Sequence, residues 1–524
     1  MIGGLKKTTS RLAIAAAATA LATSAMAADL GGNCCADLEE RVAELEATTA
    51  RKGNRRVSLT VYGQINEGLL YWDDGVESNA YVVTNENSRS RFGFRGDARL
   101  NAEWSAGYLL EIGVRIANSA GVNQFVDDNT SSTASLDLRH SAWYLDSNRL
   151  GRMWVGHTSM ATDGITEINL SNAGNIGAPD VNNWVGGMYV RAPRVNGGLL
   201  ARGTTSSVTV PPHSPVVSNA GGIRGLTWAA IMSQANANVG DGDRRNLIRY
   251  ISPTFWGFTF SASWGEDDFW DSALRYANEF NGIRVAAGIG VQQWTDGDGR
   301  AELRNTSNTI PSGGSTFLQS VSTGSQGDRG CADLNYAVGL GVNTKGSDVD
   351  CTAVGMSASA MHVPTGLYIA GAYGWLDDEN RRLLFAAVTG DRVRNADDRD
   401  EFWYIQAGVE KNWFGIGKTT FYGEYFRGDT GAGLASGGVN NIGGLVTFAG
   451  AGYPANAVIT NSEVDVWGIG LVQTIDAAAM DLYIGYRNYQ GDVSLATYNT
   501  GPATYRKLSL EDYNAVFAGG IIRF

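Results

Sequence analysis

Long apolar runs are almost missing from this chain of 524 residues, and that bounds what it can be. The one such run, Leu12 to Ala22, follows Lys6, Lys7 and Arg11 and precedes Ala25-Met26-Ala27, a small-x-small cleavage site. Residues 1–27 therefore predict a secretory signal rather than an anchor. Cysteine is scarce. The four are the adjacent pair Cys34 and Cys35 and the distant Cys331 and Cys351, which excludes a Cys-x-x-Cys zinc or redox motif. Cys34 also lacks a lipobox before it. Histidine is as rare: His140, His157, His213 and His362 show neither a His-Glu-x-x-His motif nor paired metal-ligand spacing. No metal and no cofactor is expected. Basic charge is in deficit, with a formal net charge of −12, and the first 27 residues hold three cations and no acid. Without them 38 Lys+Arg face 53 Asp+Glu, a charge of −15, which argues against nucleic acid as a partner.

What is present is glycine, 68 residues, with aromatics at 10% and a mean hydropathy of −0.16. Such a chain is neither a helical membrane protein nor a disordered one. Its last fifteen residues, Leu510 to Phe524, alternate with period two: Val516, Ala518, Gly520, Ile522 and Phe524 share one face, and Ala515, Gly519 and Arg523 the other. This reads as a membrane-spanning β-strand with a lipid side. Outer-membrane barrels close by pairing such a strand with the first one, and a terminal Phe524 resembles the signal read by their assembly machinery.

Asp37 to Thr49 differs from everything downstream. Leu38, Val42 and Leu45 form a stripe of fewer than two heptads, amid Glu39, Glu40, Arg41, Glu44 and Glu46. The segment fits either an amphipathic helix lying against a barrel or a seam joining protomers. A basic linker, Arg51 to Arg56, follows, so residues 28–56 form an amino-terminal helical segment with its linker. From Val57 to Phe524 the chain alternates in segments of about 9–11 residues, the length a tilted strand needs to cross a bilayer. Val57, Leu59, Val61 and Ile65 face outward in the first; Phe258, Phe260 and Trp264, and later Leu482, Ile484 and Tyr486, repeat the pattern.

Short turns alternate with long polar connections at roughly 73–88, 118–134, 158–243, 296–349, 377–400, 428–462 and 491–509. Counting the strands between them predicts an all-β fold, a transmembrane antiparallel β-barrel of about 16 strands with a short amino-terminal helix. Both termini then lie on the periplasmic side. Aromatics at Tyr71-Trp72, Trp143-Tyr144, Phe255-Trp256, Trp413-Phe414 and Tyr483 are expected at the membrane interfaces.

At the level of motifs, Cys34 to Val42, Ser90-Arg91-Phe92-Gly93-Phe94-Arg95-Gly96, Asn246 to Pro253 and the terminal Phe524 resemble the general porins of alphaproteobacteria such as rhizobia and Brucella. The resemblance spans nearly the whole mature chain. It implies a sixteen-stranded homotrimeric channel of the outer membrane, whose third external loop, about 158–243, folds into the lumen and narrows it. Ions and small hydrophilic solutes would diffuse through passively. The connections 158–243 and 296–349 are longer than a compact porin carries.

Strand parity supplies the candidate constriction. With Phe92 and Phe94 toward lipid, Arg91, Arg95 and Arg99 point into the lumen, and Arg115 and Arg139 do so on the next two strands. Arginine on the lipid face would cost about 2–4 kcal/mol at mid-membrane. Facing this row, the third loop offers Asp163, Glu167 and Asp180, so that an ion would cross a transverse field. Cys331 and Cys351 are expected to form a disulfide in the oxidising compartment. The acidic runs Asp127-Asp128, Glu266-Asp267-Asp268, Asp377-Asp378-Glu379 and Asp397-Asp398 are either solvated loops or sites for Mg²⁺ or Ca²⁺ bridging to lipopolysaccharide phosphates. Three other functions compete with a general channel. They are a substrate-specific channel, an adhesin displayed through the long loops, and a hydrolase with Ser and His on the outer wall, for which His140 has outward parity.

Overall fold

The computed structural model describes residues 57–127, 135–191, 227–232, 238–265, 269–295, 351–378, 397–431, 457–497 and 502–524, with the short pairs 435–436 and 439–440. The expected signal, the helical segment and linker before Val57, Cys331, and the acidic run at 266–268 lie outside the described residues.

A single antiparallel sheet closes on itself. Its strands are β1 (Thr60–Asp73), β2 in two segments (Ser78–Thr84 and Arg91–Arg99), β3 (Trp104–Arg115), β4 (Ser135–Ser147), β5 (Gly151–Ser159) and β6 (Arg244–Ile251). They continue as β7 (Phe258–Gly265), β8 (Phe269–Phe280), β9 (Ile283–Trp294), β10 (Cys351–His362), β11 (Leu367–Asp378) and β12 (Arg399–Lys411). The last four are β13 (Thr419–Thr430), β14 (Ala457–Ile475), β15 (Met480–Thr497) and β16, again in two segments (Thr504–Ser509 and Tyr513–Arg523). Eighteen paired segments thus make a closed barrel of 16 strands. Closure satisfies every edge, which a sheet in hydrocarbon requires. It is made where β1 pairs with β16 from Gln64↔Arg523 to Asp73↔Asn514. Beyond that ladder Phe524 exchanges both backbone hydrogen bonds with Gly63, at 3.0 and 3.1 Å.

Alternation decides which side chains meet lipid. Val61, Ile65, Phe258, Phe260, Trp264, Ile405, Leu482, Ile484 and Ile522 are exposed on the outside, as their period predicts. The expected aromatic pairs divide by parity. Tyr71 and Trp143 stand outward and Trp256 is 94% exposed, but Trp72 and Tyr483 are 2% and 4% exposed and turn inward. Tyr483 is therefore no girdle residue; its hydroxyl donates to Asn66 Oδ1 at 2.7 Å. At Asn281-Gly282 both residues have positive φ, 49° and 78°, the turn geometry that suits the twist of a tight hairpin.

Two expected long connections are mostly strand. Residues 73–88 form a tight turn that returns at once into β2, and 491–509 are largely the ends of β15 and β16. The polar residues at these places belong to strands that run past the bilayer into water, where no apolar side is needed. β2 is broken at 85–90 by a short 3-10 helix, Glu86–Ser88.

Candidate functional site

The inner wall of β1 to β6 concentrates charge. Arg139 Nε donates to Glu111 Oε1 at 2.7 Å, and the Tyr62 hydroxyl donates to Glu111 Oε2 at 2.8 Å. Arg91 approaches the same carboxylate at 4.0 Å. Arg115 holds both oxygens of Glu86, at 2.8 and 3.0 Å, and reaches Asp137 at 3.3 Å; Arg89 lies 3.0 Å from Asp137. Arg95 stacks 5.1 Å from the centre of the Tyr62 ring. Arg99 is apart from the others, at the turn between β2 and β3, donating to the carbonyl of Asn101.

The expected ladder of cations is interleaved with acids. Arg91, Arg115 and Arg139 have inward carboxylates from neighbouring strands beside them. Lumen placement of one charge sign recruits the other, because both faced the same problem of a costly lipid side. Parity could have found Glu111; Glu86 could not be found, since it sits in the break of β2.

His140 departs from its expected outward parity. Arg139 has no partner in the β3–β4 register, which passes from Glu111↔His140 to Ile112↔Leu138. This bulge shifts parity by one, as bulges do. His140 therefore faces inward, where Nδ1 meets the Thr158 hydroxyl at 3.2 Å and Nε2 accepts from Arg244 Nε at 3.3 Å. The outer-wall hydrolase loses its histidine.

Between β5 and β6 the chain runs along inward-facing side chains of the barrel. Asp271 on β8 accepts from the Thr162 amide and hydroxyl, at 2.7 and 2.8 Å. Arg275 donates to the carbonyls of Ala161 and Asp163, at 2.7 and 2.8 Å. On β10 Ser357 and Ser359 accept from the amides of Ile168 and Leu170, each at 3.2 Å. Further round, Glu410 on β12 accepts from the Asn172 amide at 2.7 Å, and Asp481 on β15 from Asn172 Nδ2 at 2.9 Å. The helix Asn182–Val185 then sets Trp184 against Phe517 of β16, ring centres 5.6 Å apart. Asp241 returns to the start of this segment, accepting from the amides of Gly164 and Thr166 at 2.7 and 2.8 Å.

The three acids of the segment have different surroundings. Asp163 lies 3.6 Å from Arg244, a cation outside the expected row. Enclosure would raise its carboxyl, but Arg244 and the Ser159 hydroxyl hold it below the usual range. Glu167 is exposed to the lumen, yet the protein around it, the Asp180 carboxylate, a hydrogen bond with Asp180, and Asp163 push its carboxyl above its usual value. Asp180 itself is buried and accepts from the Asn238 amide at 2.9 Å, so it stands behind Glu167 rather than at the surface. Burial, with Glu167 and Asp163, pushes Asp241 up to about 7. Cys351 is disulfide-bonded. No cluster of metal-ligating residues occurs among the described residues.

A family model described as Gram-negative porin matches residues 13–510. Among solved structures the chain is similar to an anion-selective porin from Comamonas acidovorans, with 14% identity over 89% of this chain and 100% of that one, and a TM-score of 0.46. It is also similar to the trimer form of OmpT, an outer membrane protein of Vibrio cholerae, at 13% identity over 89% and 99% and a TM-score of 0.43. For Salmonella typhi OmpF in complex with daunomycin the values are 12%, 89% and 97%, and 0.41. No curated protein sequence matches the chain.

Proposed function

The chain belongs to the Gram-negative porin family, and from that premise we propose where and how its channel discriminates. It is an outer-membrane β-barrel and a diffusion channel. The aperture lies between Arg91, Arg95, Arg115 and Arg139 on one side and Asp163 and Glu167 on the other, with Asp180 a hydrogen-bonded neighbour of Glu167. Arg99 contributes at the periplasmic mouth only. One observation carries this reading: Asp163 meets Arg244 of β6 at 3.6 Å, which brings the acidic segment against the charged wall.

Passage is for ions and small hydrophilic solutes, with weak selectivity. Arg91, Arg115 and Arg139 each have an acid beside them and Arg99 a carbonyl, so the local fields of this row largely cancel. The mature charge of −15 and the acidic outer connections raise cation concentration at the mouth, an effect screened beyond a Debye length of about 10 Å at 0.1 M salt. The assembly is a homotrimer, a reading supported by the Leu38, Val42, Leu45 stripe and by the resemblance of Ser90 to Gly96 and Asn246 to Pro253 to alphaproteobacterial porins. Lipopolysaccharide surrounds the outer rim, and Phe524 is the address read by the barrel assembly machinery. Measuring reversal potential in a salt gradient, for the native channel and for Asp163→Asn with Glu167→Gln, tests the aperture. The doubly substituted channel shifts toward anions; an unchanged potential removes the assignment.

A further inference from the structure

The periplasmic third of the inner wall carries a stripe in which aromatic rings and guanidinium groups take turns. On β4 the phenol of Tyr144 lies across Gly107 of β3, where a Cβ would collide with its hydroxyl. Trp154 of β5 packs beside it, ring centres 4.6 Å apart. Arg152, two residues earlier on β5, stands over Tyr144 at 4.4 Å from the ring centre and reaches 5.9 Å from that of Trp154. From β6 Arg249 comes within 6.0 Å of the same indole. Toward the aperture the pattern repeats once: Tyr62 lies across Gly93, and Arg95 stands 5.1 Å from its ring centre.

Cations that only fill a wall are paired with acids, as Arg139 and Arg115 are. In the stripe that holds for Arg152 alone, which lies 3.0 Å from Asp146. Both side chains of that pair are partly open, 31% and 27% exposed, so a solute can reach them. Arg95 and Arg249 meet no acid within ion-pair distance among the described residues; Arg249 donates to the Met160 carbonyl at 3.1 Å, and Arg95 has only its ring contact. A guanidinium held against a ring keeps its N–H donors along its rim and a second face open. A carboxylate takes the rim in a two-point hydrogen bond, and an aromatic ring joined to that carboxylate takes the open face. Neither a chloride ion nor a neutral sugar uses both.

We propose that this stripe is a solute subsite for small aromatic carboxylates, centred on Arg152, Tyr144 and Trp154 on the periplasmic side of the aperture. Arg95 hands the solute down from the aperture, and Arg249 closes the subsite beneath Met160. This rests on the diffusion-channel reading and names a solute class within it. The two glycines matter because they let the phenols lie along the wall, which leaves room above them for the cations and the solute.

Ion-current recording of the purified full chain in planar bilayers tests this, with benzoate, acetate or benzyl alcohol added at equal concentration. Benzoate interrupts the native current in resolved events, whereas acetate, which lacks the ring, and benzyl alcohol, which lacks the charge, do not. Among variants whose barrels migrate as folded, Arg152→Gln weakens benzoate about tenfold, the effect of losing one hydrogen bond to a charged group. Tyr144→Leu weakens it in the same direction. Arg284→Gln on β9 frees Glu279 just as Arg152→Gln frees Asp146, and it leaves benzoate binding unchanged. Equal interruption by benzoate and acetate overturns the aromatic class. Equal loss in Arg152→Gln and Arg284→Gln traces the effect to charge at the mouth and overturns the subsite. A native channel that conducts without benzoate events overturns the subsite and leaves the channel reading intact; a bilayer without any current removes both.

Discussion

Arg487 and Glu424, on β15 and β13, meet in a two-point ion pair at 2.7 and 3.1 Å that crosses the strand between them. They pass over Gly468 of β14, where a Cβ would lie 2.8 Å from the Glu424 carboxylate. The same guanidinium donates to the carbonyl of Ala178 at 2.9 Å and lies 4.5 Å from the Trp184 ring centre. The barrel wall thereby fastens the far part of the interior segment.

Glu424→Gln leaves Arg487 buried with half its pairing. Removing one partner of a buried pair costs about 3–5 kcal/mol, so the melting temperature falls and single-channel current becomes noisier as the segment loosens. A Glu424→Leu, Arg487→Met double variant recovers part of the stability but not the quiet current, since the bond from Arg487 to Ala178 is then lost as well. Calorimetry and single-channel recording check the two effects separately.

Glu111 balances Arg91 and Arg139, so Glu111→Gln exposes two cations to the passage. The reversal potential moves toward anions, whereas Arg91→Gln with Arg95→Gln moves it toward cations. Both shifts shrink as salt rises. Identical potentials in all three channels exclude this wall from selectivity.

Acidity acts on the segment through Asp241. Its carboxyl is raised from 3.8 to about 7, so the folded state holds a proton that the unfolded chain releases earlier. The favourable contribution is complete below about pH 4 and is lost as pH rises through 7. Glu167, raised as well, gains charge in the same direction. Cation preference therefore grows as pH rises, and current noise grows as pH passes through 7. Asp241→Asn flattens the noise, and Glu167→Gln flattens the preference.

Pairing of Cys351 with Cys331, the bond expected from the sequence, would close a loop of about twenty residues, worth roughly 3 kcal/mol in the chain-entropy model. Reduction lowers thermal stability, and non-reducing peptide mapping finds the two cysteines in one fragment. A free thiol at Cys331 assigns the bond of Cys351 to another cysteine.

The barrel was legible because lipid imposes period two on every strand, and the C-terminal Val516, Ala518 and Ile522 already showed the outward face. Inward cations were legible for the same reason. Their partners were not: Glu86 lies in a break of β2 that no periodicity marks, and the bulge at Arg139 turned His140 from the lipid side to the lumen. Arg487 had inward parity, opposite to Leu482 and Ile484, yet nothing in the sequence paired it with Glu424 sixty-three residues earlier. Contacts between the interior segment and distant strands depend on closure, which local pattern does not encode.

Planar-bilayer recording of the purified native protein tests the central claim most directly. The account predicts stepwise, ohmic conductance and, in a salt gradient, a weak preference for cations that declines as salt rises. A bilayer that stays silent under these conditions, or a strong selectivity indifferent to salt, would contradict it.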